Sequence, residues 1–158
     1  MRVLFVCLGN ICRSPTAEGM FRRHLEEAGL ADRVEVDSCG IGDWHVGKAP
    51  DPRARTAAAA RGLDLGDQRA RRLENTDFAR FDYLLAMDHD NLAALEARRP
   101  VDAEAHLGLF LAFAGLPDRA VPDPYYGGER GFEEVLDLVE AASRGLLEEV
   151  KGRLEEDA

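Results

Sequence analysis

Residues 3–15 read Val3-Leu4-Phe5-Val6-Cys7-Leu8-Gly9-Asn10-Ile11-Cys12-Arg13-Ser14-Pro15. Val3 to Cys7 is a short apolar run, of the length and character of a buried strand. Ser14-Pro15 reads as a helix start, with Ser as N-cap and Pro at the first helical position, where its missing N–H costs nothing. Ala17, Met20, Phe21, Leu25 and Ala28 then share one helical face, and Gly29 closes the helix. The loop Cys7-Leu8-Gly9-Asn10-Ile11-Cys12-Arg13-Ser14 therefore leaves a strand and enters a helix N-terminus. Backbone N–H groups there lack intrahelical partners, and the helix dipole favours an anion. Gly9 and Asn10 are residue types that tolerate left-handed backbone, as a tight anion cradle requires. Arg13 adds a planar fork matched to two phosphate oxygens.

The same field stabilises a thiolate. The thiol of Cys7, at the strand end, is expected to titrate below the ordinary value of about 8.5 and to act as a nucleophile at phosphorus. The Ser14 hydroxyl can donate to that sulfur and improve it as a leaving group. Two blander readings stand beside this one. Cys7 can be a packing residue next to a helix cap, or Cys7 and Cys12 can be a metal pair. A gap of this size with no third or fourth ligand nearby argues against zinc.

Outward from this loop, Val34 to Ser38 alternates as a second strand, and Asp51-Pro52 opens a helix that ends at Gly62. Tyr83 to Met87 is a buried strand, and Asp88 caps a helix running through Arg98. Leu107 to Phe113 is a fourth strand candidate, with a short helix as the alternative. From Gly131 onward, Phe132, Val135, Leu136, Val139, Ala142, Leu146, Val150 and Leu154 keep helical spacing. Strands alternating with helices predict an α/β fold with a parallel sheet covered on both faces. Such sheets bind ligands at the carboxyl ends of their strands, which is where the Cys7 loop lies.

The chain has 158 residues, 46% hydrophobic and 32% charged, which fits one globular domain, residues 1–158. No 18-residue apolar run is present, so no membrane helix is expected, and the N-terminus turns polar too early for a signal peptide. The net charge of −10 argues against nucleic acid as a partner. Residues 1–80 carry 13 basic and 12 acidic side chains, whereas residues 81–158 carry 7 and 18, so an anion site belongs in the first half. Three cysteines, Cys7, Cys12 and Cys39, are too few for a disulfide scaffold, and a reducing cytoplasm is the expected location.

The run Val6 to Pro15, followed by Ala17-Glu18, resembles the low-molecular-weight protein tyrosine phosphatases. Asp123-Pro124-Tyr125-Tyr126-Gly127, about 110 residues later, looks like that family's second signature. Asp77-Phe78, Phe81-Asp82-Tyr83 and Met87-Asp88 add to the likeness between them. The resemblance implies a three-layer, phosphotyrosine phosphatase I-like domain with a four-stranded parallel sheet flanked by helices. It implies that Cys7 attacks phosphorus to form a cysteinyl-phosphate. Asp123, held between Pro122 and Pro124, would protonate the leaving phenol and later deprotonate water. Arg13 and the loop N–H groups of residues 8–14 would hold the equatorial oxygens, with no metal or other cofactor required.

Tyr125 and Tyr126 would form an aromatic rim for a phenyl phosphate, with Trp44 opposite. His45 reads as a solvated loop residue. Asn10, Ser14, Ser38 and Glu18 resemble the family's buried polar network, with Gln68 in the place where many members have a histidine. Cys12 looks like the second loop cysteine that pairs reversibly with Cys7 on oxidation; Cys39 reads as packing. Phosphotyrosine proteins are the implied substrates, with inorganic phosphate or sulfate as loop ligands, and the protein is expected to be a monomer or weak oligomer. A rival of the same fold, arsenate reductase, needs further cysteines downstream, and there are none after Cys39. A non-catalytic phosphate-binding module often lacks the nucleophile, the arginine or the acid, and all three are present.

Overall fold

The computed structural model describes residues 1–124 and 128–156. Strand β1 (Arg2–Cys7) is the apolar run anticipated above, and it alternates between two cores. Val3, Phe5 and Cys7 face one side, where they pack with Met20, Phe21 and Leu25 and with Val135, Leu136, Val139 and Leu146. Leu4 and Val6 face the other, against Leu84, Ala86, Phe78, Phe81 and Leu95. Side chains two apart on a strand share a face, so one buried strand feeds two hydrophobic layers.

The remaining elements follow in chain order as α1 (Arg13–Glu27), β2 (Glu35–Gly40), α2 (Pro52–Ala59), α3 (Asp77–Arg80), β3 (Tyr83–Ala86), α4 (His89–Arg98), β4 (His106–Leu109) and α5 (Gly128–Glu156). The four strands are parallel in the order β2-β1-β3-β4. Helices α1 and α5 cover one face, α5 supplying the long apolar stripe from Phe132 to Val150. Helices α3 and α4 cover the other. The chain leaves β1 toward β2 on one side and returns to β3 on the other. The order reverses at β1, and the crevice opens beyond its carboxyl end. Among the described residues no helix is long and apolar enough to cross a membrane.

The α/β architecture anticipated from the sequence is present, with local differences. The segment read as a strand from Leu107 to Phe113 divides. Only His106–Leu109 pairs with β3, and Phe110–Ala114 tightens into a 3-10 turn closed by Gly115 at φ 77°. That turn buries Phe110 against Phe5, the ring centroids 4.9 Å apart, which a straight strand would not do. Helix α2 stops at Ala59 rather than Gly62, and Gly62 takes a left-handed turn at φ 83°. Asp88 caps α4 as expected, its side chain accepting from the Asn91 N–H. Ser14, by contrast, does not cap α1. The helix begins at Arg13, Cys12 holds the N-cap position without a side-chain bond, and the Ser14 hydroxyl is engaged elsewhere.

Candidate active site

The loop between β1 and α1 is shaped by what surrounds it. Its outer carbonyls are tied down: Ile41 N–H donates to Cys7 O at 2.9 Å, Gly42 N–H to Leu8 O at 2.9 Å and Asp51 N–H to Ile11 O at 2.8 Å. With these carbonyls held by the neighbouring loops, the Asn10 N–H points at the Cys7 sulfur. Asn10 adopts φ 57°, the only non-glycine positive φ among the described residues. Gly9 is not left-handed. It is small for another reason: a Cβ there would lie 2.9 Å from the His45 ring. Gly40, at the end of β2, lies against the loop backbone itself, since its Cβ would sit 3.0 Å from Leu8 O and 3.1 Å from the Gly9 carbonyl carbon.

The Cys7 sulfur lies at the bottom of this turn, buried, with the Asn10 N–H donating to it at 3.2 Å and the Ser14 hydroxyl 3.0 Å away. Behind it runs a chain of side chains. Asn10 Nδ2 donates to Ser14 Oγ at 2.8 Å and to Ser38 Oγ at 2.9 Å, and Ser38 Oγ donates to Glu18 Oε1 at 2.7 Å. All four are buried. Burial raises the Glu18 carboxyl above its ordinary range, against the opposing hydrogen bond from Ser38 and the charge of Arg22. The anticipated network of Asn10, Ser14, Ser38 and Glu18 is therefore assembled, but Gln68 is not part of it. Gln68 Nε2 bonds Pro15 O at 2.9 Å instead. The acceptor oxygen of Asn10 is met by the Arg71 backbone N–H at 3.0 Å.

Arg13 is buried and already partnered. Its Nη1 donates to Asp88 Oδ2 at 2.7 Å and to Val121 O at 3.1 Å. Val121 N–H in turn bonds Met87 O at 2.7 Å, which extends the end of β3 into the segment that carries Asp123. The Asp123 carboxylate thereby comes within 4.0 Å of Arg13 Nη2, although the two are far apart in sequence. Asp88 does more here than cap a helix, a role its N-cap signature concealed.

A cleft of about 240 Å³ opens above the sulfur, lined by Cys7, Leu8, Gly9, Ile11, Cys12, Arg13, Trp44, His45 and Asp123. Trp44 is 63% exposed at its mouth. The ring folds close over Gly42, where any Cβ would collide with it at 1.9 Å. His45, read from sequence as a solvated loop residue, is half-buried and lines the cleft. Tyr125 and Tyr126 lie outside the described residues. Cys12 is also in the lining; burial first, then the charges of Asp51, Cys7 and Asp123, push its thiol up to about 12. Cys39 is fully buried and its thiol is raised well above the ordinary value, chiefly by desolvation.

Around the network, Arg71 is clamped by two carboxylates. Its Nε donates to Asp37 Oδ2 at 3.0 Å, and its Nη1 and Nη2 take both oxygens of buried Asp77 at 3.0 and 3.1 Å. Burial opposes its charge, but the bonds to Asp77 and the neighbouring negative charges raise the guanidinium above its ordinary value. Asp51 is lowered: burial works against the carboxylate, and hydrogen bonds from the Arg53 side chain and backbone outweigh it.

The family model described as low molecular weight phosphotyrosine protein phosphatase matches residues 2–156. A low molecular weight protein-tyrosine-phosphatase of Streptomyces coelicolor is 48% identical, over 98% of this chain and 96% of that one. The low molecular weight phosphotyrosine protein phosphatase of Sus scrofa is 38% identical, over 94% and 95%. A crystal structure of protein tyrosine phosphatase from Entamoeba histolytica, with Hepes in its active site, superposes with a TM-score of 0.91 at 38% identity, covering 96% of this chain and 97% of that chain.

Proposed function

This chain belongs to the low molecular weight phosphotyrosine protein phosphatase family and is a phosphoric monoester hydrolase acting on phosphotyrosine; from that we propose how its residues divide the reaction. Cys7, as thiolate, attacks phosphorus; the S–P bond forms as the P–O bond to the phenol breaks. Asp123 gives its proton to the departing phenolic oxygen. Asp123, now a carboxylate, takes a proton from water as that water attacks phosphorus, and the S–P bond breaks to return the thiolate and inorganic phosphate. Arg13 and the inward N–H groups of residues 8–14 hold the three equatorial oxygens through both steps, as fixed dipoles that need no reorganisation. The positive field of the loop takes the part a metal ion plays in other phosphatases.

The observation that carries this reading is the Cys7 sulfur, accepting from the Asn10 N–H and 3.0 Å from the Ser14 hydroxyl, at the floor of a cleft that Arg13 and Asp123 also line. Ser14 supports the second step in particular, since a hydrogen bond to sulfur makes it a better leaving group. Leu8, Ile11 and Trp44 supply apolar lining suited to a phenyl ring. Cys12 is assigned the resolving role on oxidation: it attacks the sulfenic acid of Cys7, releasing water and forming a disulfide.

The test is hydrolysis of an aryl phosphate in the presence of a chelator. Wild-type protein is expected to turn over with a burst of phenol, and Cys7→Ser and Cys7→Ala are expected to be inactive. Undiminished hydrolysis by Cys7→Ala would overturn the assignment.

A further inference from the structure

We propose that Arg71 is a positioning residue for the nucleophile, acting through the orientation of the Asn10 side-chain amide. The inference rests on the reading of Cys7 as nucleophile and goes one layer behind it.

A backbone N–H can only donate. The Arg71 N–H, 3.0 Å from the Asn10 side chain, therefore demands the amide oxygen on its side. Both hydrogens of the Asn10 NH₂ are then turned toward Ser14 and Ser38. Ser14 Oγ, having accepted from Asn10, has its own hydrogen left for a thiolate 3.0 Å away; the competing acceptor, Cys39 O, is at 3.4 Å. With the amide turned over, its oxygen would face the two hydroxyls and the Ser14 hydrogen would be drawn to Asn10 instead of to sulfur. One backbone donor thus sets the polarity of the chain that ends on the nucleophile.

That donor is fixed unusually firmly for a loop residue. The Arg71 guanidinium grips Asp37 of β2, the residue before Ser38 of the network, and both oxygens of Asp77 at the start of α3. Asp77 is in turn held by the Glu74 N–H at 2.8 Å, and the Arg71 carbonyl accepts from Gly40 N–H at 2.8 Å. Bidentate guanidinium–carboxylate geometry specifies direction as well as attraction. None of these groups touches the cleft, so Arg71 acts on substrate only through Asn10 and Ser14.

The experiment compares wild type with Arg71→Met and Asp77→Asn, each alone and combined with Ser14→Ala. Three things are measured: kcat and KM on an aryl phosphate, melting temperature, and the pH dependence of Cys7 alkylation by iodoacetate. Arg71→Met is expected to lower kcat about tenfold with KM within about twofold of wild type, because the phosphate-holding groups stay in place. Its alkylation profile is expected to move about one pH unit upward, as a thiolate that has lost a donor requires. In the Ser14→Ala background neither Arg71→Met nor Asp77→Asn should move that profile further.

A purely structural Arg71 would lower the melting temperature and leave the profile where it is, and that result overturns the proposal. An equal shift with and without Ser14 also overturns it. Should Arg71→Met fail to fold, Asp77→Asn carries the same test with the arginine retained. Failure of the wild type itself to hydrolyse the ester would instead remove the parent reading of Cys7.

Discussion

At the scale of single residues, the proposed mechanism divides its labour between one carboxyl and one thiol that must be in opposite protonation states. Asp123 has to carry a proton while Cys7 has lost one, so kcat/KM for an aryl phosphate is expected to peak on the acid side of neutrality and to fall above it. A rate still climbing at pH 8 would contradict that division. Asp123→Ala should slow substrates with poor leaving groups by about 10²- to 10⁴-fold, and activated nitrophenyl esters much less, since only the former need the proton; kcat across a series of leaving groups measures this. The three cysteines should separate cleanly as well. Cys12 is pushed up to about 12 and Cys39 is raised well above the ordinary thiol value, both by burial before any other cause. Iodoacetamide at pH 7 should therefore label Cys7 alone in the native protein, read by peptide mass spectrometry. Labelling of Cys12 at a comparable rate would mean that its surroundings are wetter than its burial indicates. If Cys12 resolves an oxidised Cys7 as proposed, the same raised thiol is expected to make that step slow at neutral pH.

At the scale of elements, the cradle depends on strand ends as much as on its own residues. Gly40 ends β2 beneath the loop, and a methyl there meets backbone, which cannot swing aside. Gly40→Ala is expected to cost about 1–3 kcal/mol in denaturant unfolding and to depress kcat more than a core change of equal cost. Helix α1 contributes Glu18, whose carboxyl titrates above its ordinary range. A group with a raised folded value holds its proton more tightly folded than unfolded. Its contribution therefore weakens stability as pH rises from about 4.5 through that raised value. Melting temperatures of wild type and Glu18→Gln between pH 4 and 8 should show the variant gaining on the wild type over that interval.

These elements also mark how far the sequence could be read. The run from Cys7 to Arg13 stands out because thiol, tight turn and guanidinium are contiguous, and periodicity exposes α5. Ser14 reads as a cap in sequence because Ser-Pro before an apolar stripe looks the same whether the hydroxyl serves the helix or lies beside a sulfur. Arg71 meets Asn10 across 61 residues and Asp88 meets Arg13 across 75. Such pairs leave no local pattern, since nothing near Arg71 or Asp88 in the chain distinguishes an inward charge from a solvated one.

For the molecule as a whole, the chemistry sits at the edge where the sheet order reverses, and the core beneath it is shared by α1 and α5. Leu146 of α5 is fully buried on that side. Leu146→Ala should lower stability by about 2–5 kcal/mol while leaving kcat near wild type when assayed well below the melting transition; calorimetry and kinetics together check it. The acidic excess lies mostly in the second half of the chain, whereas the loop from Cys7 to Ser14 lies in the balanced first half. The Arg13–Asp88 pair crosses between those halves. A guanidinium that already leans on a carboxylate never stands bare when the cradle empties. If phosphate leaves this loop as proposed, its departure strands no lone cation in the interior, because Arg13 keeps its bonds to Asp88 and to the Val121 carbonyl.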